Sequence, residues 1–313
     1  METFWIVLLA FILFLIISVF IVSLYAYHQA FFNKNKKLKD ISQLTSGSFS
    51  EEEIGIIKGL YDEFKDDPYE KVSIDSYDGL KLNARYYEYN SESPLQIMFH
   101  GYKSEGLRDF VGGIKLAKKV GHNVLLVEQR GHGDSKSSTT TLGTIEKYDC
   151  LEWVKYACER FGENKKIILS GVSMGAATVL MASEYKLPKN VVGIIADSPF
   201  SSPADIIKKV LKDKKLSPKF IFPFVKFGAL IYGGFVLNEK GAVDAVKNAK
   251  IPVLIIHGDA DTFVPVYMSK EIYYNCASKK ELHIFNGADH VRSFLVDCDK
   301  YEKIVSSFLN GIL

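Results

Sequence analysis

The longest apolar stretch of the chain comes first. Residues 4–27 read FWIVLLAFILFLIISVFIVSLYAY, without one charged side chain. A helix needs about 20 such residues to cross a bilayer core. A cleaved signal would carry a basic start, a shorter apolar core and a small-x-small cleavage site; here Glu2 is the only charged side chain before the run. Residues 1–33 are therefore assigned as a retained membrane anchor and 34–50 as a basic, polar linker. Lys34, Lys36, Lys37 and Lys39 follow the run and no basic residue precedes it. The positive-inside rule then places the remainder on the cytoplasmic side of a single-pass cell-membrane protein.

Beyond the linker, Ile54, Ile57, Leu60 and Phe64 recur at helical spacing and predict a short amphipathic helix. Residues 71–89 form two strand-like runs around Asp78-Gly79, the signature of a hairpin. The pattern changes at residue 95. Short apolar runs LQIMF (95–99), NVLLV (123–127), KIILS (166–170), VVGIIA (191–196), IPVLII (251–256) and ELHIF (281–285) alternate with helical patterns near 107–120, 144–161, 174–185, 267–277 and 299–309. Strands apolar on both faces and alternating with helices predict an α/β domain over 51–313. Its sheet would be mainly parallel, with helices on both faces. The gap from Pro199 to Ile251 is roughly twice what one crossover helix requires. It contains PKFIFPFVKFGALIYGGF (218–235), interrupted by Pro223 and Lys226. This is read as a helical lid inserted over about 201–248, with a second membrane-dipping segment as the alternative.

Composition narrows the function. A hydrophobic share of 47% in 313 residues supports a large core. A net charge of +2 implies no basic face broad enough for nucleic acid. Cys150, Cys158, Cys276 and Cys298 include no C-x-x-C pair, which argues against a zinc or dithiol motif. Cys150 and Cys158 share one predicted helix, where eight residues of rise separate them by about 12 Å. A disulfide needs Cα atoms within about 7 Å, so free thiols and a reducing compartment are expected.

Candidate chemistry centres on GVSMG (171–175), which lies between the apolar run 167–169 and helix-forming residues 176–182. A serine at the apex of so short a strand-to-helix turn is strained, and only side-chain-free neighbours leave room for it. Its hydroxyl is a nucleophile only if an imidazole takes the proton and a carboxylate holds that imidazole. In a parallel sheet such groups collect at the carboxyl ends of the strands. The loop after 251–256 carries Asp259 and Asp261, either of which can be the carboxylate, and the loop after 281–285 carries His290. The glycine-containing turn HGYKSEG after 95–99 can present a backbone N–H. A calcium site at the two aspartates would need further oxygen ligands at set spacing. The chain order Ser, Asp, His is that of the nucleophile-elbow hydrolases.

With HGY (100–102), EQRGHGDS (128–135), GVSMG (171–175), DSPF (197–200), HGDADTFVP (257–265) and GADH (287–290), the chain resembles the α/β-hydrolase fold superfamily. It looks most like bacterial membrane-anchored serine hydrolases of the esterase/lipase type. The resemblance covers about residues 70–311. It implies Ser173 as nucleophile, Asp261 as acid and His290 as base, with the N–H groups of Tyr102 and Met174 as oxyanion hole and no metal or cofactor. Glu128 stands where relatives usually have Asp, and Asp289 where they have Gly; neither position belongs to the triad. The expected substrate is a small-molecule carboxylic ester with an apolar acyl group. The motivation is the aromatic content of the insertion (Phe220, Phe222, Phe224, Phe227, Tyr232, Phe235) and an anchor that keeps the site near lipid. A serine exopeptidase or a thioesterase on the same fold is the alternative, and a non-catalytic membrane-tethered binding protein the rival from another class. An exopeptidase lid needs acids for a free amine, and this one has many lysines and few acids, among them Asp205, Asp213 and Glu239. His100, His132, His257 and Arg130 read as structural. Lys208, Lys209, Lys212, Lys214 and Lys215 read as a solvated face or an attraction for anionic headgroups.

Overall fold

A computed structural model of the chain describes residues 1–33, 49–237 and 240–313. Lys34, Lys36, Lys37, Lys39 and Glu239, with nearly all of the assigned linker, lie outside the described residues. The hairpin around Asp78-Gly79 consists of β1 (Glu70–Asp75) and β2 (Lys81–Tyr87). Gly79 closes its turn at a φ of 79°, a region in which glycine alone is unstrained. The six apolar runs become β3 (Leu95–Phe99), β4 (Asn123–Glu128), β5 (Ile167–Val172), β6 (Val191–Asp197), β7 (Val253–Gly258) and β8 (Lys280–Phe285). These six pair in parallel, and β2 joins them antiparallel to β4. The sheet order is β1-β2-β4-β3-β5-β6-β7-β8. β3 lies between β4 and β5, so successive crossovers leave it in opposite directions. Such a switch point opens a crevice at the carboxyl ends of the strands.

Helices cover both faces. They are α1 (Glu2–Ala30), α2 (Glu51–Phe64), α3 (Gly106–Asp109), α4 (Val111–Lys119), α5 (Glu146–Phe161), α6 (Met174–Ala182), α7 (Pro203–Asp213), α8 (Pro218–Ile231), α9 (Ala242–Ala245), α10 (Tyr267–Asn275), α11 (Ser293–Val296) and α12 (Cys298–Ile312). Alternate strand residues feed opposite cores. Ile97, Phe99 and Leu169 pack with Trp153 of α5 and the side chains of α6, while Met98, Leu126 and Ile168 face α4 and α12. All four cysteines are free thiols.

The apolar helix α1 has two environments. Its side chains from Phe4 (64% exposed) to Val22 (40%) are largely uncovered, whereas Ser23, Ala26 and Tyr27 are buried and Phe31 is wholly enclosed in the main core. The Tyr27 phenol lies 2.6 Å from the Thr139 hydroxyl. The Phe31 carbonyl accepts from the Thr140 N–H at 2.8 Å, and Asn33 Nδ2 donates to the Gly131 carbonyl at 2.9 Å. A run of apolar residues says only that water is excluded; whether lipid or protein excludes it is a tertiary matter.

The insertion is helical, as expected, but α8 turns toward α1. The Phe20 and Phe227 rings meet edge-on at 5.3 Å, and the Tyr232 hydroxyl donates to the Phe20 carbonyl at 3.0 Å. At the crossing, a Cβ on Gly228 would stand 2.4 Å from the Ser23 carbonyl oxygen, so only glycine fits there.

Candidate active site

Ser173 links β5 directly to α6 at φ 53° and ψ −112°, outside the regions an L-residue prefers. Its N–H donates to the Asp197 carbonyl and its own carbonyl accepts from the Ala177 N–H, bonds that hold the strained residue in place. The flanking glycines answer a steric demand. A Cβ on Gly171 would lie 2.3 Å from the Gly175 carbonyl carbon, and a Cβ on Gly175 would lie 1.8 Å from the Phe99 carbonyl oxygen.

The loops after β7 and β8 bring the other partners to this turn. His290 Nε2 stands 2.8 Å from Ser173 Oγ, and His290 Nδ1 stands 2.7 Å from Asp261 Oδ2. Asp261 Oδ1 accepts the N–H groups of Phe263 and Val264 at 2.9 and 2.7 Å. His257 Nε2 approaches both Asp261 Oδ2 (3.1 Å) and the Val264 carbonyl (2.8 Å). Burial raises the Asp261 pKa, but the hydrogen bonds from His257 and His290 outweigh it and hold the carboxyl well below the usual range. Asp259 is placed elsewhere: its carboxylate accepts the Gly287 N–H at 2.7 Å. Of the two aspartates left open by the loop, Asp261 is the one that reaches the imidazole.

The backbone N–H groups of Tyr102 and Met174 donate to no other described residue. The second heads α6, where first-turn N–H groups have no intrahelical acceptor. The loop bearing Tyr102 is held by a residue that sequence reasoning missed. Asp109, largely covered at the end of α3, accepts the Gly101 N–H at 2.8 Å and also binds the Ser104 hydroxyl and the Arg108 guanidinium. Burial pushes Asp109 up, and Arg108 with these donors more than offsets it, leaving the carboxyl below its ordinary value. Nothing in the sequence singles it out, since an aspartate carries no local mark of burial. The Tyr102 phenol meanwhile donates to the Ala30 carbonyl at 3.0 Å, on the last turn of α1.

The residues read as structural take structural positions. His132 accepts the Lys103 N–H at Nε2, and its Nδ1 faces the Arg130 carbonyl. Burial pulls its pKa down to about 3. Arg130 forks onto Asp149 at 2.6 and 2.7 Å and reaches Asp78 at 2.9 Å; burial works against its charge, but these bonds hold it ionised. Glu128 accepts the Asp134 N–H within its own loop. Asp289 accepts the N–H groups of His290 and Thr262, stapling the loop of Asp261 to the loop of His290.

These shifts predict an acid-labile fold. Burial lowers the folded pKa values of His100, His122 and His132 below the unfolded value near 6.5. Below pH about 6.5 the unfolded chain binds protons that the folded chain refuses, so stability falls as pH falls. Each histidine contributes at most about 1.4 kcal/mol per pH unit. Asp109 and Asp261, lowered in the fold, add a further loss below pH about 4. A melting temperature that stays level from pH 7 to pH 5 would contradict the assignment.

A cavity of about 290 Å³ opens beside Ser173 and His290. Met98, Phe110, Leu116, Ile195, Phe263 and Phe294 supply much of its apolar wall. Here the lid expectation needs correcting. No described residue of 201–248 lines the cavity; Phe49 and Ile57, from the α2 segment, do. The Arg292 guanidinium sits 4.3 Å from the Phe49 ring centroid and 3.4 Å from Glu53, clasping that segment over the opening. The aromatic side chains of the insertion serve packing instead: Phe222 and Phe235 are buried in the main core and Phe227 meets α1.

Comparison with known proteins agrees with this architecture. A family model described as the alpha/beta hydrolase fold matches residues 97–222. The uncharacterized protein YqkD of Bacillus subtilis is 28% identical over 194 residues, 62% of this chain and 64% of that protein. The lysophosphatidylserine lipase ABHD12 of Danio rerio is 27% identical over 64% of this chain and 52% of its own length. These matches thus span just under two thirds and about half of the relatives concerned. Among solved structures, an esterase of Pyrococcus furiosus superposes with a TM-score of 0.65 at 26% identity, covering 86% of this chain and 96% of that one.

Proposed function

We propose that this chain, which has the α/β-hydrolase fold, is a membrane-held serine hydrolase cleaving carboxylic esters with an apolar acyl group. The observation that carries the reading is the continuous relay Asp261–His290–Ser173, at 2.7 and 2.8 Å, opening onto an apolar cavity. With its proton on Nδ1 toward Asp261, His290 presents a free Nε2 lone pair to Ser173. As Oγ bonds to the ester carbonyl carbon, its proton passes to Nε2 and the carbonyl oxygen becomes an oxyanion between the Tyr102 and Met174 N–H groups. Each such donor is typically worth about 3 kcal/mol in the transition state. Collapse of the tetrahedral species breaks the bond to the alkoxy oxygen, which leaves as the alcohol with the proton from His290. Water, deprotonated by the same nitrogen, then attacks the acyl-serine and releases the acid.

The similarity to an esterase and to a lysophosphatidylserine lipase supports ester over peptide substrates. So does the cavity chemistry. Its two carboxylates, Asp109 and Asp197, are both engaged internally, the latter by Ser198 and Tyr301, and neither is offered to a substrate amine. For α1, retention as an anchor is supported by the burial of its last turns, since cleavage before Tyr27 would strip side chains out of the core. The four lysines that follow α1 in the sequence place the remainder in the cytoplasm, and digestion of the domain by protease added outside intact cells would overturn that placement. At about 290 Å³ the cavity is at the small end of ligand pockets, roughly 300–1,000 Å³. Across a series of nitrophenyl esters, kcat/KM is expected to peak at short to medium acyl chains and fall for long ones. No hydrolysis at any length would sink the esterase reading.

A further inference from the structure

The outward side of α8 is apolar, which a water-facing helix does not need. Phe220, Leu230 and Ile231 are 67, 50 and 47% exposed, and Pro223 lies exposed on the same stripe. Phe222, Val225, Gly228 and Ala229 point the other way, into the protein. Lys219 and Lys226 run along one border of the stripe, and the whole of α8 contains no acidic residue. Amphipathic helices that lie in a membrane interface combine an apolar face with lysines along its border.

The level of α8 along α1 identifies what this stripe meets. Residues 4–22 of α1 rise about 28 Å at 1.5 Å each, matching a hydrocarbon core of about 30 Å. The core boundary therefore falls just where α1 enters the protein, and there α8 crosses it, with Phe227 on Phe20 and Gly228 on Ser23. We propose that the outward stripe of α8 is a second membrane contact. It lies in the headgroup and upper acyl region of the leaflet that α1 leaves, with Lys219 directed to anionic phosphates. The proposal rests on α1 spanning the bilayer, and its test separates the two.

The full chain, with half-buried Cys158 and Cys298 changed to Ser, is given one environment-sensitive fluorophore through Leu13→Cys, Phe220→Cys or Leu230→Cys. It is reconstituted in phosphatidylcholine/phosphatidylglycerol vesicles. The probes at 220 and 230 are expected to emit to the blue and to be quenched by a shallow nitroxide lipid but not by aqueous iodide. The probe at 13 should be quenched best by a deep nitroxide. Iodide quenching at 220 and 230 with deep quenching at 13 would leave the anchor intact and overturn the second contact. An unquenched probe at 13 would overturn both. Shielding at 220 that disappears on diluting protein in lipid would assign the stripe to a second copy, and would also overturn the proposal.

Discussion

Replacing Ser173 with alanine is expected to abolish turnover, with kcat falling by a factor on the order of 10⁶, as when the nucleophile is removed from a preassembled triad. Labelling by a fluorophosphonate probe should vanish with it. The cost to folding should be small, because alanine keeps the Cβ and the backbone bonds to Asp197 and Ala177 that hold the turn at φ 53°. That combination, a stable protein without covalent labelling, separates loss of the nucleophile from loss of the fold. Equal labelling of wild type and variant would show that the probe reacts elsewhere, and the mechanism would fall. If wild type does not label either, the non-catalytic rival gains.

The largest effect on stability is expected from a single added methyl group. In Gly175→Ala the new Cβ would stand 1.8 Å from the Phe99 carbonyl oxygen, 2.4 Å from its carbon and 2.8 Å from the His100 carbonyl oxygen. All three atoms are backbone, so no side chain can rotate away. Either the end of β3 or the start of α6 must move. Overpacking of this kind costs about 3 kcal/mol, and at about 2–4 °C per kcal/mol the melting temperature should drop by roughly 6–12 °C. The displaced segment leads directly into the loop carrying Tyr102, so surviving activity should fall with stability. A variant that melts with the wild type would mean that the elbow is less tightly packed than described.

What could be read in advance depended on how local the cause is. GVSMG betrays its geometry because the colliding atoms of Gly171 and Gly175 lie within the same few residues or on the adjacent strand. The six parallel strands were equally plain, since burial on both faces forces continuous apolar runs such as Ile167–Val172. The loops holding Asp261 and His290 followed from the sheet. The wall of the cavity did not. Phe49 and Ile57 reach it from a segment far from Ser173 in the chain, and their placement depends on the clasp with Arg292. Aromatic richness in 218–235 pointed to the active site, yet Phe227 and Tyr232 are used against α1. Composition records that a side chain needs an apolar neighbour and is silent about which one. Asp109 was overlooked for a related reason, because a largely covered carboxylate organising a loop has the same letter as one in water.

The phenol of Tyr102 rests on the final turn of α1, so the proposed oxyanion loop and the proposed anchor are in direct contact. A hydrolase mounted as proposed searches an area and not a volume. Its rate should track the mole fraction of ester among the surrounding lipids, and diluting that ester with inert lipid should slow turnover even when the amount per millilitre of suspension is unchanged.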